Sequence, residues 1–275
     1  METQKYTYDY PRPAVTTDCV VFGIDERGLK ILLIERGIEP YKGAWAFPGG
    51  FLSMDETAEQ GVLRELKEET GLDLRHVKQL ATYSDVNRDP RGRVITIAFY
   101  TLTKTATVQG GDDAAKAQWF TLDNVPQLAF DHDVILRDAR LKLREELSQG
   151  RITPDRITTL HNSEIFVFGS NLRGMHGGGA ARIAVEQFGA VWGQGVGQQG
   201  QCYAIPTMQG GVDTIQPYVE EFIRFADMHP ELTFLVTRIG CGIVGFTDAE
   251  IAPLFAGAVN VENIHLPMEF WRELV

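Results

Sequence analysis

The segment 50–72 constrains the fold of this chain more than any other, because it places three glutamates at helical spacing. Glu65, Glu68 and Glu69 stand at positions i, i+3 and i+4, so a helix presents all three on one face. Three neighbouring carboxylates repel each other and weaken a bare helix. A hard divalent cation between them removes that penalty, since Mg²⁺ prefers oxygen ligands and keeps waters that phosphates can replace. The spacing therefore predicts a metal-binding helix at about 55–70.

The start of this helix is also predicted by the local sequence. Ser53 and Glu56 stand at capping-box spacing, which places the helix start just after Gly49 and Gly50.

The charge of the chain agrees with a bound metal. The net charge is −11, with 24 acidic and 19 basic residues in 1–150 and 13 and 7 in 151–275. Neither half has the basic surplus of a nucleic-acid binder, so no nucleic-acid partner is expected. An acidic protein that acts on anionic phosphates needs local cations, either arginines or a metal.

Three further features predict a cytoplasmic protein. No run approaches the roughly 20 apolar residues that span a bilayer, so no membrane partner is expected. The first residues lack the basic-then-apolar pattern of a signal peptide. The three cysteines, Cys19, Cys202 and Cys241, are far apart and odd in number, which favours reduced thiols.

The hydrophobic pattern changes near residue 150, which predicts two domains, 1–148 and 155–275. The first is strand-rich, with strands near 15–23, 30–35, 77–84, 93–103 and 117–121 and a second helix at 131–147 that begins at Asp131. The second alternates strands near 164–169, 202–205, 232–237 and 263–266 with helices near 178–188, 216–228 and 248–257. This alternation predicts a mainly parallel, three-layer α/β domain.

The segment 50–72 agrees at every fixed position with the pattern G-x5-E-x7-R-E-U-x-E-E-x-G-U, and it therefore resembles the Nudix box. Flanking segments at 11–16, 45–51, 88–94 and 128–133 resemble the ADP-ribose pyrophosphatases and the related Nudix-fold regulators of NAD metabolism. The resemblance covers about residues 10–147. It implies an α/β/α sandwich with a mixed sheet, and Mg²⁺- or Mn²⁺-dependent hydrolysis of a nucleoside diphosphate linked to another group, above all ADP-ribose.

The resemblance also implies roles for individual residues. Glu65, Glu68 and Glu69 are the expected metal ligands, and Arg64 is expected to orient them by an ion pair. Glu56 is expected to support the helix start or the metal. Gly50 and Gly71 are expected to supply backbone freedom, and Arg88, Arg91 and Arg93 are expected to contact the diphosphate or the terminal ribose. An acidic residue on a loop after the Nudix box, Asp112 or in preference Asp113, is expected to serve as metal ligand or base.

Two glycine-rich loops mark the second half, and each follows a predicted strand and precedes a helix. The loops span 168–181 and 238–246, and such loops let backbone N–H groups approach an anion. Because both follow strand ends, they are expected to face each other across a ligand crevice. His176 and Cys241 lie in these loops, the first as a ligand contact or catalytic group and the second as a small filling residue.

The two loops together resemble those of a compact macrodomain, a family that binds ADP-ribose. The positions that match are Asn171, Gly177, Gly178, Gly179, Gly240, Gly242, Gly245 and Phe246. The acid that the family uses for adenine is not evident upstream, and the domain is short. A different Rossmann-like domain, whose loops bind another phosphate, stays open as the alternative.

The sequence leaves three functions open. The first is hydrolysis of ADP-ribose to AMP and ribose 5-phosphate, with the second domain binding or processing ADP-ribose. The second is a ligand sensor, although the complete set of glutamates favours hydrolysis. The third is hydrolysis of another nucleotide, such as NADH, a dinucleoside polyphosphate or a modified nucleoside triphosphate. Domains of this kind often pair, so a homodimer is a further expectation.

The metal assignment predicts the effect of one substitution. Glu68→Gln should abolish Mg²⁺-dependent turnover without loss of fold, because it removes a charged ligand and keeps the side-chain size. Glu59→Gln, on the same predicted helix but outside the fixed positions of the pattern, should keep full turnover. Unchanged turnover in Glu68→Gln, measured beside an unchanged circular dichroism spectrum, would contradict the assignment.

Overall fold

The computed structural model describes residues 7–25, 28–111 and 114–275. Its contacts group these residues into two compact units, one formed by residues 7–25, 29–111 and 114–142 and the other by residues 28 and 143–275. The domain limits 1–148 and 155–275 stay a prediction.

The first unit contains a mixed seven-stranded sheet, as expected. The strands are β1 (Ala14–Asp25), β2 (Gly28–Arg36), β3 (Trp45–Ala46), β4 (Gly49–Phe51), β5 (Lys78–Tyr83), β6 (Val94–Lys104) and β7 (Ala114–Thr121). The order β3-β2-β1-β6-β5 forms the main path, with β4 added to β1 and β7 to β2. β1 is parallel to β6 and antiparallel to β4, so one long strand holds the centre of the sheet.

Both faces of β1 are buried, which explains its nearly continuous apolar sequence. Cys19 and Val21 pack with Val62 and Leu66 of the following helix. Val20 and Phe22 point to the other face by strand alternation and are also fully buried.

Two helices accompany this sheet, α1 (Ala58–Thr70) and α2 (His132–Ser148). The predicted start of α1 is wrong by a few residues. Thr57 is the N-cap, and the capping box joins it to Gln60 instead of joining Ser53 to Glu56. Glu56 does accept a hydrogen bond from the Ser53 N–H, but this contact forms a turn ahead of the helix.

The second unit contains one five-stranded sheet that is mainly parallel, as expected. Its strands are β8 (Glu164–Ser170), β9 (Gly197–Gln199), β10 (Cys202–Pro206), β11 (Thr233–Val236) and β12 (Ile264–His265). The order is β12-β11-β8-β10-β9, with only β9 antiparallel to its neighbour. The carboxyl ends of β8, β10 and β11 therefore meet at one edge.

The helices of this unit are α3 (Gly179–Gln187), α4 (Gln216–Asp227), α5 (Asp248–Ile251) and α6 (Met268–Leu274). The helix predicted at 248–257 is α-helical only to Ile251 and continues as a 3-10 helix over Ala252–Asn260. Pro253 has no N–H to donate to the carbonyl of Ala249, so a continuous α-helix cannot pass it. The sequence also did not predict α6, β3, β4 and β9, all of which are short.

Candidate active site

A cleft of about 730 Å³ opens in the first unit where β4 faces α1. Its lining includes the acidic side chains of Glu65 and Glu69 and the basic side chains of Arg36 and Arg91. The cleft therefore brings carboxylates and guanidinium groups together in one site. Of the residues that the sequence singled out, the cleft gathers Gly50, Arg64, Glu65, Glu69, Arg88 and Arg91.

Arg64 binds three of the glutamates at once. Its Nη2 donates to Glu56 Oε1 at 2.7 Å, and its Nη1 donates to Glu65 Oε1 at 2.9 Å and to Glu68 Oε2 at 3.0 Å. The hydrogen bonds from Arg64 lower the pKa of Glu56 to about 2, so this carboxylate stays charged. The same contacts raise the pKa of Arg64. One guanidinium thus fixes the orientation of the carboxylates on α1.

Two glycines let the loop approach these carboxylates. A Cβ on Gly50 would come within 2.3 Å of Glu65 Oε1, and a Cβ on Gly49 within 2.2 Å of the Thr17 carbonyl oxygen. Gly49 also donates its N–H to Glu69 Oε2 at 2.8 Å. Close approach is therefore the physical reason for glycine at both positions.

Burial shifts the titration of the inner carboxylates. Burial raises the pKa of Glu69 to about 8, against the hydrogen bond from Gly49, and the charges of Glu65 and Asp18 raise it further. Burial is also the main cause of the raised pKa of Glu65. The cleft therefore concentrates more negative charge than its surroundings readily stabilise.

Asp18 and His132 belong to this cleft although the sequence analysis did not select them. Asp18 is nearly buried on β1 and accepts a short hydrogen bond from Thr96. His132 Nδ1 accepts from the Phe47 N–H at 3.0 Å, and its Nε2 lies 3.7 Å from Asp18 Oδ1. Burial lowers the pKa of His132, which keeps its ring neutral and its Nε2–H directed at Asp18.

The three arginines at 88–93 have different surroundings. Arg88 is buried in a bidentate pair with Asp131, at 2.7 and 3.0 Å, and supports the cleft wall. Arg91 binds Asp89 and lies at the cleft. Arg93 instead donates to the carbonyl oxygens of Ser84 and Asp85 and does not line the cleft. The substrate contact expected of Arg93 therefore stays a prediction.

Aromatic rings lie beside the guanidinium groups of the cleft. The guanidinium of Arg91 lies 5.0 Å from the ring centre of Phe51 and 5.4 Å from that of Phe130, and Arg36 lies 4.9 Å from Phe130. Phe130 has a backbone φ of +53°, a strained conformation for a bulky residue. The position of this ring in the cleft therefore requires a strained backbone conformation at Phe130.

The donor set suits a hard cation by its chemistry, because the inner groups are carboxylates whose mutual repulsion a cation would relieve. Among residues 7–25, 28–111 and 114–275, however, no three acidic, histidine or cysteine side chains gather at metal-binding spacing. Arg64 lies between Glu65 and Glu68, while Glu69 is bonded to Gly49. Asp112 and Asp113 lie outside the described residues.

The second unit has its own cleft of about 550 Å³, here called the Gly-loop cleft. Both glycine-rich loops line it, together with Thr207 and Met208 after β10. The expected crevice between the loops is therefore present. The matching residues along it are Asn171, Gly177, Gly178, Gly179, Gly240 and Gly242, while Gly245 and Phe246 lie outside its lining.

Three side chains of these loops, those of Asn171, His176 and Cys241, interact mainly with the protein itself. Asn171 binds the backbone of Met175 through both ends of its amide, which closes the first loop. His176 is buried beside Phe168, with its Nε2 3.0 Å from the Gln194 carbonyl oxygen, and it does not line the cleft. The ligand-contact or catalytic role expected of it stays a prediction. Burial raises the pKa of Cys241 to about 12, which fits a filling role and not a reactive thiolate.

The mixed α/β sheet, the carboxylate-bearing helix and the cleft with acidic and basic side chains define a class of enzyme that acts on phosphate groups. Residues 12–139 match the model of the NUDIX domain. The ADP-ribose pyrophosphatase of Methanocaldococcus jannaschii is 48% identical over 129 residues, which are 47% of this chain and 74% of that protein. The chain belongs to the NUDIX family, and it is a Nudix pyrophosphohydrolase.

Two further relatives carry other descriptions. The ADPR responsive transcriptional repressor NtrR of Acinetobacter baylyi is 35% identical over 145 residues, which are 50% of this chain and 57% of that protein. The NUDIX domain of Shewanella oneidensis NrtR, in a cocrystal structure with ADP ribose, is 34% identical, with a TM-score of 0.47 over 50% of this chain and 94% of that one. In the described part of the chain, no helix is long and apolar enough to cross a membrane.

The close approach at Gly50 leads to a test. Gly50→Ala should displace the Glu65 carboxylate and lower kcat about 100-fold, as expected for a misplacement of about 1 Å at a catalytic site. Gly211→Ala is the matched control, since Gly211 has no neighbour within 4 Å and a φ of −74°. A Gly50→Ala enzyme with wild-type kcat would show that the position of Glu65 is not critical.

Proposed function

We propose that the N-terminal domain hydrolyses ADP-ribose to AMP and ribose 5-phosphate with bound Mg²⁺ or Mn²⁺. The observation that carries the proposal is the single cleft that Glu65 and Glu69 of α1 line together with Arg36 and Arg91. A diphosphate needs both kinds of group, because its oxygens bind cations while the attacking water must lose a proton. The similarity to an ADP-ribose pyrophosphatase supports this choice of substrate.

In the proposed reaction, water attacks one phosphorus, the bridging P–O bond breaks, and each phosphate leaves with one product. Glu65, Glu68 and Glu69 would hold the cation, which would supply Lewis-acid chemistry for the phosphoryl oxygens and the attacking water. Arg91 would bind the diphosphate as a fixed cation.

The aromatic side of the cleft suits the organic ends of the substrate. Phe51 is half exposed, and Phe130 faces it across the Arg91 guanidinium. We propose that one of these rings packs against adenine or ribose, since ligand sites combine apolar surface with a few polar groups. Arg88 then acts as a support and makes no direct contact.

ADP-ribose sensing is the second candidate, favoured by the similarity to an ADPR responsive repressor. A sensor would use the same cleft without rapid turnover. The complete set Glu65, Glu68 and Glu69 favours hydrolysis, because a sensor needs no three carboxylates around a cation.

For the C-terminal domain, we propose that the Gly-loop cleft binds ADP-ribose, as in the macrodomains that its loops resemble. Gly177 and Gly242 line the cleft, and a Cβ on either would meet nothing within 4 Å. Neither residue has a positive φ. Packing and backbone strain thus give no reason for glycine there, whereas an open path for a ligand does.

The substrate proposal is tested with a panel. The purified chain, incubated with Mg²⁺ and ADP-ribose, NAD⁺, NADH or diadenosine polyphosphates, should release AMP fastest from ADP-ribose, as followed by chromatography. Faster turnover of another member would replace the substrate and keep the enzyme class. No turnover of any member, together with tight ADP-ribose binding, would favour the sensor.

The raised pKa of Glu69 predicts proton release when the metal binds. With a pKa of about 8 in the metal-free protein, the Glu69 carboxyl is mostly protonated at neutral pH and must lose its proton to bind a cation. Mg²⁺ affinity should therefore rise from about pH 6 to about pH 8 and be lost on acidification. Calorimetric heats in buffers of different ionisation enthalpy measure the release.

Glu69→Gln cannot ionise, so it should remove most of this proton release. Binding of Mg²⁺ to the wild-type chain at neutral pH with no proton exchanged would contradict the prediction.

A further inference from the structure

The first residue of α2 is a buried histidine whose polar atoms the packing of the helix does not require. His132 is 2% exposed, and its ring stacks on the ring of Phe47, with the ring centres 4.7 Å apart and the planes 7° apart. An apolar ring would pack in the same place without polar atoms to bury. The ring nitrogens of His132 therefore need a separate reason.

The hydrogen bond at Nδ1 supplies that reason. The Phe47 N–H donates to His132 Nδ1 at 3.0 Å. Phe47 is buried and lies one residue beyond Ala46, where β3 ends and its pairing with β2 stops. A buried backbone donor without an acceptor is costly, so His132 satisfies an N–H that this strand pair does not bind.

The segment 47–49 is held at its other two residues as well. The Pro48 carbonyl oxygen accepts from a backbone N–H of β1 at 2.9 Å, and the Gly49 N–H donates to Glu69 Oε2 at 2.8 Å. His132 thus fixes one end of the segment, and Glu69 is bound at the other end, two residues away. A shift at the first contact is therefore transmitted through a short stretch of backbone to the carboxylate.

The direction of the first hydrogen bond requires one tautomer of His132. Because Nδ1 accepts, the ring proton must lie on Nε2. This nitrogen is 3.7 Å from Asp18 Oδ1, which is too far for a hydrogen bond but close enough for the carboxylate to favour a proton on this side of the ring. The Thr96 hydroxyl donates to Asp18 in turn. Contacts therefore lead from the central strands through His132 to the segment 47–49.

We propose that His132 is a positioning residue for hydrolysis, which accepts the Phe47 N–H and thereby holds the Gly49 N–H where it orients the Glu69 carboxylate. The effect passes through the backbone and needs no contact between His132 and the reacting atoms. A misplacement of about 1 Å at a catalytic site costs about 100-fold in rate, so small shifts of this segment matter. This inference rests on the proposed role of Glu69 in hydrolysis and adds the residue that sets its position.

Two substitutions separate the acceptor from the bulk of the ring. In His132→Asn the amide oxygen stands near the place of Nδ1 and keeps an acceptor for the Phe47 N–H, whereas in His132→Gln the longer side chain carries its polar group toward the place of Nε2. The full chain is assayed with Mg²⁺ and ADP-ribose, or with whichever nucleotide of the panel is turned over fastest. His132→Gln should lower kcat about tenfold or more with little change in KM, and His132→Asn should keep most of kcat. His76→Gln, at an exposed histidine of the same unit, is the matched control.

A role in stability alone gives a different result. Both substitutions at His132 remove a buried ring, so both should lower Tm. If packing were the whole role, kcat would be unchanged in both variants or would fall equally in both. Either result, in proteins with a wild-type circular dichroism spectrum, would overturn the inference alone. Full kcat in Glu69→Gln would instead overturn the proposed role of Glu69 and the inference with it.

The tautomer provides a test that does not depend on turnover. NMR of the histidine ring nitrogens in the metal-free full chain should show a proton on Nε2 of His132 and none on Nδ1. Its signals are assigned by their absence from the spectrum of His132→Asn. A proton on Nδ1 at neutral pH would overturn the inference, because that nitrogen could not accept from the Phe47 N–H.

Discussion

Carboxylates held close together in a partly buried cleft are the constraint on which the N-terminal domain depends. Burial raises the pKa of both Glu65 and Glu69, and the charges of Glu65 and Asp18 raise the pKa of Glu69 further. The fold offsets this repulsion with Arg64, which binds one side of the cluster, and with the Gly49 N–H, which binds Glu69. Glycine at positions 49 and 50 lets this loop approach β1 and Glu65 closely. The backbone and the charged groups of the cleft therefore depend on each other.

The arginines that line the same cleft are themselves held in place by acidic partners. Arg88 is fixed by Asp131 and Arg91 by Asp89, and hydrogen bonds from Arg91 keep the pKa of Asp89 low although burial acts in the other direction. Arg36 and Arg91 meet the ring of Phe130, whose backbone is strained. Rigid groups of this kind lose little freedom when a diphosphate binds, which is the property that a phosphate-cleaving site needs.

The C-terminal domain follows a different principle, since it has glycine where packing does not demand it. Residues 140–275 lie outside the NUDIX match. Two glycines, Gly177 and Gly242, leave free space along the Gly-loop cleft. If both domains bind ADP-ribose, the chain joins a site that consumes the ligand to one that holds it.

The sequence by itself determined the local structure: α1 with its glutamates, the long central strands, the parallel sheet of the second half, and the glycine loops at strand ends. Each depends on residues close together in the chain, where helical or strand spacing decides which side chains share a face. The residues that sequence reasoning missed lie on β1 (Asp18), on β2 (Arg36), in the turn before α2 (Phe130) and at the start of α2 (His132), and only the folded domain brings them together. Only the tertiary structure shows that Arg93 donates to two neighbouring carbonyl oxygens and lies outside the lining of the cleft. It likewise places Glu269 at a cavity formed by segments more than a hundred residues apart. Long-range packing sets which polar groups are buried and which have partners, and no local pattern records that.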